Sequence, residues 1–194
     1  MKNPAVFVDK DATLIRDVPY NVSPDLIELS PNAGRCVAIL RKEGFRVVVI
    51  SNQAGIALGY FPETALKEVE GRLQELLSQA GAQLDGFYYC PHHPRGKIEA
   101  YRQSCTCRKP GDEMLRRAAQ EQDLDLENSW MVGDIAADIL AGQKAGCRTI
   151  LFTQYHNTAS ELQNCKPDFV AKTWQEVELI ILQHSASERG ERKV

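Results

Sequence analysis

Ala5-Val6-Phe7-Val8-Asp9-Lys10-Asp11-Ala12-Thr13 is the stretch on which the fold turns. Four apolar residues run without a polar break into two acids separated by a single lysine. An unalternated apolar run of this length fits a strand buried on both faces, and Asp9 marks its exit into solvent. Two carboxylates spaced this way repel one another unless a cation or a shared proton relieves them. The plain alternative is an acidic turn after a strand, a setting in which Asp is common.

Working outward, the same kind of run recurs at residues 46–50, 86–89, 130–132, 149–152 and 169–171. Helical stretches separate the runs. Residues 32–43 end at Gly44, 62–80 at Gly81 and 135–145 at Gly146, while 112–122 follow Pro110-Gly111. Glycine after a helix suits a left-handed cap. A last helix starts at Thr173, where Thr173-Trp174-Gln175-Glu176 has capping-box spacing, and Val177, Ile180 and Ile181 give it an apolar face to about residue 184. Strands alternating with helices predict a parallel sheet covered on both faces, because parallel neighbours need crossover connections. No internal repeat or low-complexity linker interrupts the pattern. Residues 1–184 are therefore expected to form a single domain, with 185–194 a charged, frayed tail.

Composition narrows the function. Of 194 residues, 43% are apolar and 25% charged, with a net charge of −3, so no basic groove for nucleic acid is expected. No apolar run approaches the roughly 20 residues that span a bilayer, and Met1-Lys2-Asn3-Pro4-Ala5 enters the first strand without a secretory segment. The expectation is a cytoplasmic protein, monomeric, with no membrane partner and a small molecule as ligand. Six cysteines in such a chain point to metal rather than to a disulfide framework.

Ligands of parallel sheets bind beyond the carboxyl ends of the strands, so the residues after each run carry the chemistry. Ser51-Asn52-Gln53 follows the second run, offering a hydroxyl and backbone amides to an anion, or ordinary turn chemistry. Arg108-Lys109-Pro110-Gly111 sets two cations before a helix, as an anion site or a solvated basic turn. Gly133-Asp134 follows the fourth run with Asp138 four residues on, where Asp would also serve a helix start. Together, strand exits bearing Asp-x-Asp, Ser, Lys and Asp in that order form a constellation.

That constellation resembles the four motifs of the haloacid dehalogenase superfamily, here Asp9-Lys10-Asp11-Ala12-Thr13, Ser51, Lys109, and Gly133-Asp134 with Asp138. The resemblance spans almost the whole chain. It implies a three-layer, doubly wound, Rossmann-like α/β fold without a large cap domain, and a phosphatase activity. Asp9 would be the nucleophile and Asp11 the general acid and base. Magnesium would be held by the Asp9 and Asp134 carboxylates and the backbone carbonyl of Asp11. Ser51, Asn52, Arg108 and Lys109 would bind phosphate and substrate, with Thr13 in support. Asp138 would orient either Lys109 or a metal-bound water. The family has glycine where this chain has Ala12. If that backbone position needs positive φ, alanine there costs about 1 kcal/mol. A site weakened in this way, serving to bind a sugar phosphate, is the alternative that Ala12 raises.

Cys90-Pro91-His92-His93-Pro94 and Cys105-Thr106-Cys107 add a C-x-H…C-x-C pattern. Three thiols and an imidazole are the donors of a closed, structural zinc site, so Cys90, His92, Cys105 and Cys107 are the expected ligands and the metal staples a polar loop. Cys36, Cys147 and Cys165 read as buried thiols. This zinc loop resembles that of the D-glycero-D-manno-heptose-1,7-bisphosphate 7-phosphatases and the related histidinol-phosphate phosphatase domains. Its length, and the runs Ser51-Asn52-Gln53-Ala54-Gly55-Ile56-Ala57 and Tyr88 to Pro94, favour the heptose branch. Leu58 and Ile135 depart from it, standing where many relatives carry arginine and lysine.

Overall fold

The computed structural model describes residues 2–155, 163 and 165–191, with side chains as far as residue 185. Six strands form one sheet: β1 (Asn3–Val8), β2 (Arg46–Asn52), β3 (Gly86–Cys90), β4 (Leu124–Gly133), β5 (Arg148–Phe152) and β6 (Phe169–Ala171). Every pairing is parallel and the order is β3-β2-β1-β4-β5-β6.

Period-two geometry explains the three layers. Val6, Val8, Val47 and Val49 point to one face and pack with α1 (Ala33–Lys42), α3 (Leu66–Gln79) and the last helix, α6 (Trp174–Glu191). Ala5, Phe7, Val48 and Ile50 point to the other and meet Met114, Leu115 and Ala118 of α4 (Glu113–Glu121) and Ala141 and Ala145 of α5 (Ala136–Ala145). Burying each large side chain in these layers contributes roughly 1.5–3 kcal/mol. Gly146 closes α5 at φ 91°, the left-handed conformation expected of it. A short helix that the apolar pattern did not announce, α2 (Ala54–Leu58), follows β2 directly. Among the described residues no cap domain interrupts the chain, and no helix is long and apolar enough to cross a membrane.

Two boundaries differ from the sequence pattern. β4 begins at Leu124 rather than near residue 130, because Leu124 and Asp125 already pair with Asn3 and Pro4 before the register shifts and pairing resumes at Val6 and Trp130. Ser129 buries its hydroxyl there, accepting from Ala5 N at 2.8 Å. The last helix runs to Glu191, past the expected end near residue 184, and Ser185 Oγ donates to Ile181 O across that point. Its predicted start holds: Glu176 N donates to Thr173 Oγ1 at 3.2 Å, while the Glu176 carboxylate reaches back to Lys172 N at 2.6 Å. Trp174 is wholly buried and its indole donates to Thr13 O at 3.0 Å, tying this helix to the loop after β1.

The strand order reverses direction between β1 and β4. Chain crossovers leave that junction on opposite sides, so a crevice opens beyond the carboxyl ends of these two strands.

Candidate active site

Asp9 leaves β1 at this crevice with its N–H still donating to Val132 O of β4, at 2.9 Å. Asp134 leaves β4 beside it. The carboxylates of Asp9, Asp134 and Asp138 approach to within 4.8 Å of one another. Lys109 enters from the loop before α4. Its ammonium lies 2.5 Å from Asp9 Oδ1 and 2.7 Å from Ile50 O. It is also 2.6 Å from Asp138 Oδ1, an ion pair lying off the hydrogen-bond axis. Asp138 thus contacts Lys109, one of the two partners that the sequence left open for it. Asp138 is fully buried, with its other oxygen accepting from Ile135 N at 3.2 Å as the start of α5 is capped.

Burial dominates the electrostatics. Desolvation pushes Asp9 up to about 7, against the pull of Lys109, with Asp138 and Asp11 adding to the rise. Asp134 is pushed up to about 8 by burial and then by the charges of Asp9 and Asp138. Burial works against the Lys109 ammonium too, but Asp138 and Asp9 outweigh it and hold it above the usual lysine range. Three clustered acids beside one lysine leave excess negative charge in a buried place. Hard carboxylate oxygens so arranged fit a hard divalent cation such as magnesium.

A cavity of about 330 Å³ opens above this cluster, its wall including Asp9, Asp11, Asn52, Arg108, Lys109 and Asp134. Thr13 lies beneath, donating to Asp134 Oδ1 at 3.3 Å. Ser51 is buried behind Gln53, whose amide donates to Ser51 Oγ at 2.8 Å. The Asn52 amide is committed to the Lys109 backbone, donating to its O at 3.1 Å and accepting from its N at 3.0 Å. Arg108 faces the cavity, and its Nη1 is buried without a hydrogen-bond partner, as befits a donor kept for an anion. The sequence reading did not foresee Lys10 and Gln53 as side chains of the site, nor Asp17 and Tyr20, which join the wall from the loop after β1. Only the unusual lysine between two acids signalled any of them.

Ala12 has φ 54°, the left-handed conformation that the glycine-to-alanine departure raised, and it is buried. The turn it makes lets Leu14 N and Ile15 N donate back to Asp9 O and Lys10 O, at 3.2 and 3.0 Å.

Cys90, His92, Cys105 and Cys107 converge next to this site. Sγ–Sγ and Sγ–Nδ1 separations run from 2.9 to 3.7 Å, against roughly 3.6–3.8 Å along the edges of a zinc tetrahedron. The donor set fits zinc through Nδ1 of His92, and no fifth donor is needed. His93 lies outside the cluster, as expected, and its Nδ1 accepts from Arg95 N. Cys36 and Cys147 are buried thiols, both pushed up to about 12 by desolvation.

Comparison with known proteins bears on this geometry. The HAD-hyrolase-like family model matches residues 106–177. D-glycero-beta-D-manno-heptose-1,7-bisphosphate 7-phosphatase of Haemophilus ducreyi is 39% identical over 150 residues, 77% of this chain and 82% of that one. The chain belongs to the haloacid dehalogenase-like hydrolases. The Escherichia coli K12 enzyme with the same name is also 39% identical, over 75% of this chain and 76% of its own. Among solved haloacid dehalogenase-like structures, D,D-heptose 1,7-bisphosphate phosphatase from B. bronchiseptica, complexed with magnesium and phosphate, superposes with a TM-score of 0.80. It is 30% identical, covering 93% of this chain and 99% of that one. Haloacid dehalogenase-like phosphatases use magnesium, which agrees with the carboxylate cluster found here.

Proposed function

We propose that this protein is a magnesium-dependent phosphatase that removes the 7-phosphate of D-glycero-D-manno-heptose 1,7-bisphosphate through an aspartyl-phosphate on Asp9. The observation that carries the reading is the meeting of Asp9, Asp134 and Asp138 with Lys109 at the mouth of the β1/β4 crevice. The names and coverage of the relatives support the sugar.

Asp9 is buried and stands in the cavity wall. One carboxylate oxygen attacks phosphorus, forming the Asp9–phosphorus bond as the bond to the sugar oxygen breaks. Asp11 gives its proton to the departing alkoxide, then takes one from the water that attacks the phosphoenzyme and releases inorganic phosphate from Asp9. Lys109 and the Ser51 loop offset charge on the phosphoryl oxygens. Asp138 positions the Lys109 ammonium for that task. Asp9, Asp134 and the Asp11 main-chain carbonyl would hold the magnesium, which when bound supplies positive charge to the same oxygens. Arg108, with its idle Nη1, is placed to take the second phosphate or a sugar hydroxyl bidentately. Cys90, His92, Cys105 and Cys107 would hold zinc as a staple that presents Arg108 and Lys109. We infer a monomer of the cytoplasm, where thiols such as Cys36 and Cys147 stay reduced.

Phosphate release tests the reading. Purified protein with magnesium is expected to release one phosphate from the heptose 1,7-bisphosphate and to hydrolyse histidinol phosphate poorly. Good turnover of histidinol phosphate with none of the bisphosphate would overturn the choice of sugar. Tight binding of the bisphosphate without any phosphate release would favour a site disabled by Ala12.

A further inference from the structure

Asp11 is only partly buried, its side chain 34% exposed, yet both its oxygens are held. Lys10 Nζ donates to Oδ1 at 2.7 Å and Gln53 Nε2 donates to Oδ2 at 3.3 Å. Neither donor is an ordinary surface group. The Lys10 side chain is 1% exposed, an expensive place for an ammonium, and Asp11 is the carboxylate it meets there. Gln53 is 5% exposed and shares its amide between Asp11 and Ser51 Oγ. Its backbone is fixed in turn, since Gln53 N donates to Cys90 O at 2.8 Å, at the end of β3 where the Cys3His cluster begins. Below Asp11, the left-handed turn at Ala12 sets the direction in which the loop leaves.

We infer that Lys10 and Gln53 are positioning residues, a two-point clamp that fixes the Asp11 carboxyl group at the distance and angle from which it serves the leaving oxygen. This rests on the phosphatase reading and deepens it. A proton donor acts only within hydrogen-bond reach of the oxygen it serves, and a carboxyl left to rotate at the edge of a cavity spends little time there. The clamp also joins two parts of the site that the family motifs treat separately. Gln53 stands between the buried hydroxyl of Ser51 and the proton-handling group, so a shift in either is felt by the other.

Leaving-group chemistry distinguishes this role from a structural one. An alkoxide leaving group needs a proton from Asp11, whereas p-nitrophenolate departs without one. In Gln53→Met and Lys10→Met, kcat/KM for the heptose bisphosphate is expected to fall by roughly 10- to 100-fold. The fall for p-nitrophenyl phosphate should be about tenfold smaller, because kcat/KM reports only as far as formation of the phosphoenzyme. Lys10→Arg keeps a donor and should recover most of the loss. Zinc content and Tm confirm that each variant is folded; if Lys10→Met is not, Gln53→Met decides alone. Equal losses on the two substrates would overturn the clamp and assign Gln53 to phosphate binding through Ser51. No loss on either would overturn it as well. Wild-type protein inert towards both would instead overturn the phosphatase reading itself.

Discussion

The Lys109 ammonium lies 2.5 Å from Asp9 Oδ1 although 100 residues separate the two in the chain. Both groups are buried, and Asp138 holds the lysine from its other side. Breaking such a pair strands its partners: Lys109→Met leaves a cluster of acids in low dielectric without its internal cation. Urea unfolding without magnesium should show a loss of about 3–5 kcal/mol. Activity should fall by at least about 100-fold, since the same ammonium offsets transition-state charge. A variant as stable as the wild type would contradict the ion pair.

Asp9 and Asp134, raised to about 7 and about 8, set a pH dependence. A carboxyl whose pKa is higher in the folded state stabilises the fold below its unfolded value near 4, and the contribution is lost as pH rises through the folded value. Without magnesium, Tm should therefore decline as pH climbs from about 4 to beyond 8. Magnesium competes with those protons, so it should bind more tightly as pH rises from about 6 to 8 and flatten the decline. Thermal melts in magnesium-free buffer, without a chelator that would strip zinc, make the comparison. Magnesium affinity that is independent of pH would count against these two acids as its ligands.

Ala12→Gly relieves a left-handed alanine. The cost of that conformation is about 1 kcal/mol, which for a chain of this size corresponds to a Tm rise of roughly 2–4 °C. The strain comes from the alanine Cβ, which in the left-handed conformation crowds the following carbonyl oxygen, and glycine removes it. An unchanged or lower Tm would show that the loop carries no strain there.

Cys107→Ser removes one donor of the Cys3His cluster two residues before Lys109. Metal analysis should find zinc in the wild type and little in the variant, with Tm lower by at least about 5 °C. Because the Lys109 backbone is also held by Asn52, some phosphatase activity should survive at low temperature. Full zinc content in Cys107→Ser would contradict the ligand set.

Much of this site was legible because parallel sheets place chemistry at their strand exits. Asp9 and Asp134 follow apolar runs and the Cys3His loop carries a spacing with one clear chemical use, while Lys109 arrives from the loop before α4 and is marked only by its place ahead of a helix. The start of β4 is not legible, because Leu124 and Asp125 pair with Asn3 and Pro4 across a register shift that breaks the apolar run, and irregular backbone pairing leaves no apolar signature. The roles of Gln53 and Lys10 are hidden in the sequence for a related reason. Whether a glutamine side chain turns to solvent or to Asp11 depends on where Cys90 anchors its backbone, a contact between elements far apart in the chain. Asn52 shows the converse, since it sits where a substrate ligand was expected and its amide is occupied by Lys109. Ala12 was the departure most open to misreading, and its φ of 54° ties it to the loop's conformation.

Acid-quench trapping tests the central claim most directly. Protein mixed with magnesium and the heptose bisphosphate, quenched within one turnover and digested, should yield a phosphorylated peptide spanning Asp9. The adduct should be labile to hydroxylamine and absent from Asp9→Asn. Turnover that persists in Asp9→Asn, or a phosphoryl group found on any other residue, would contradict covalent catalysis by Asp9.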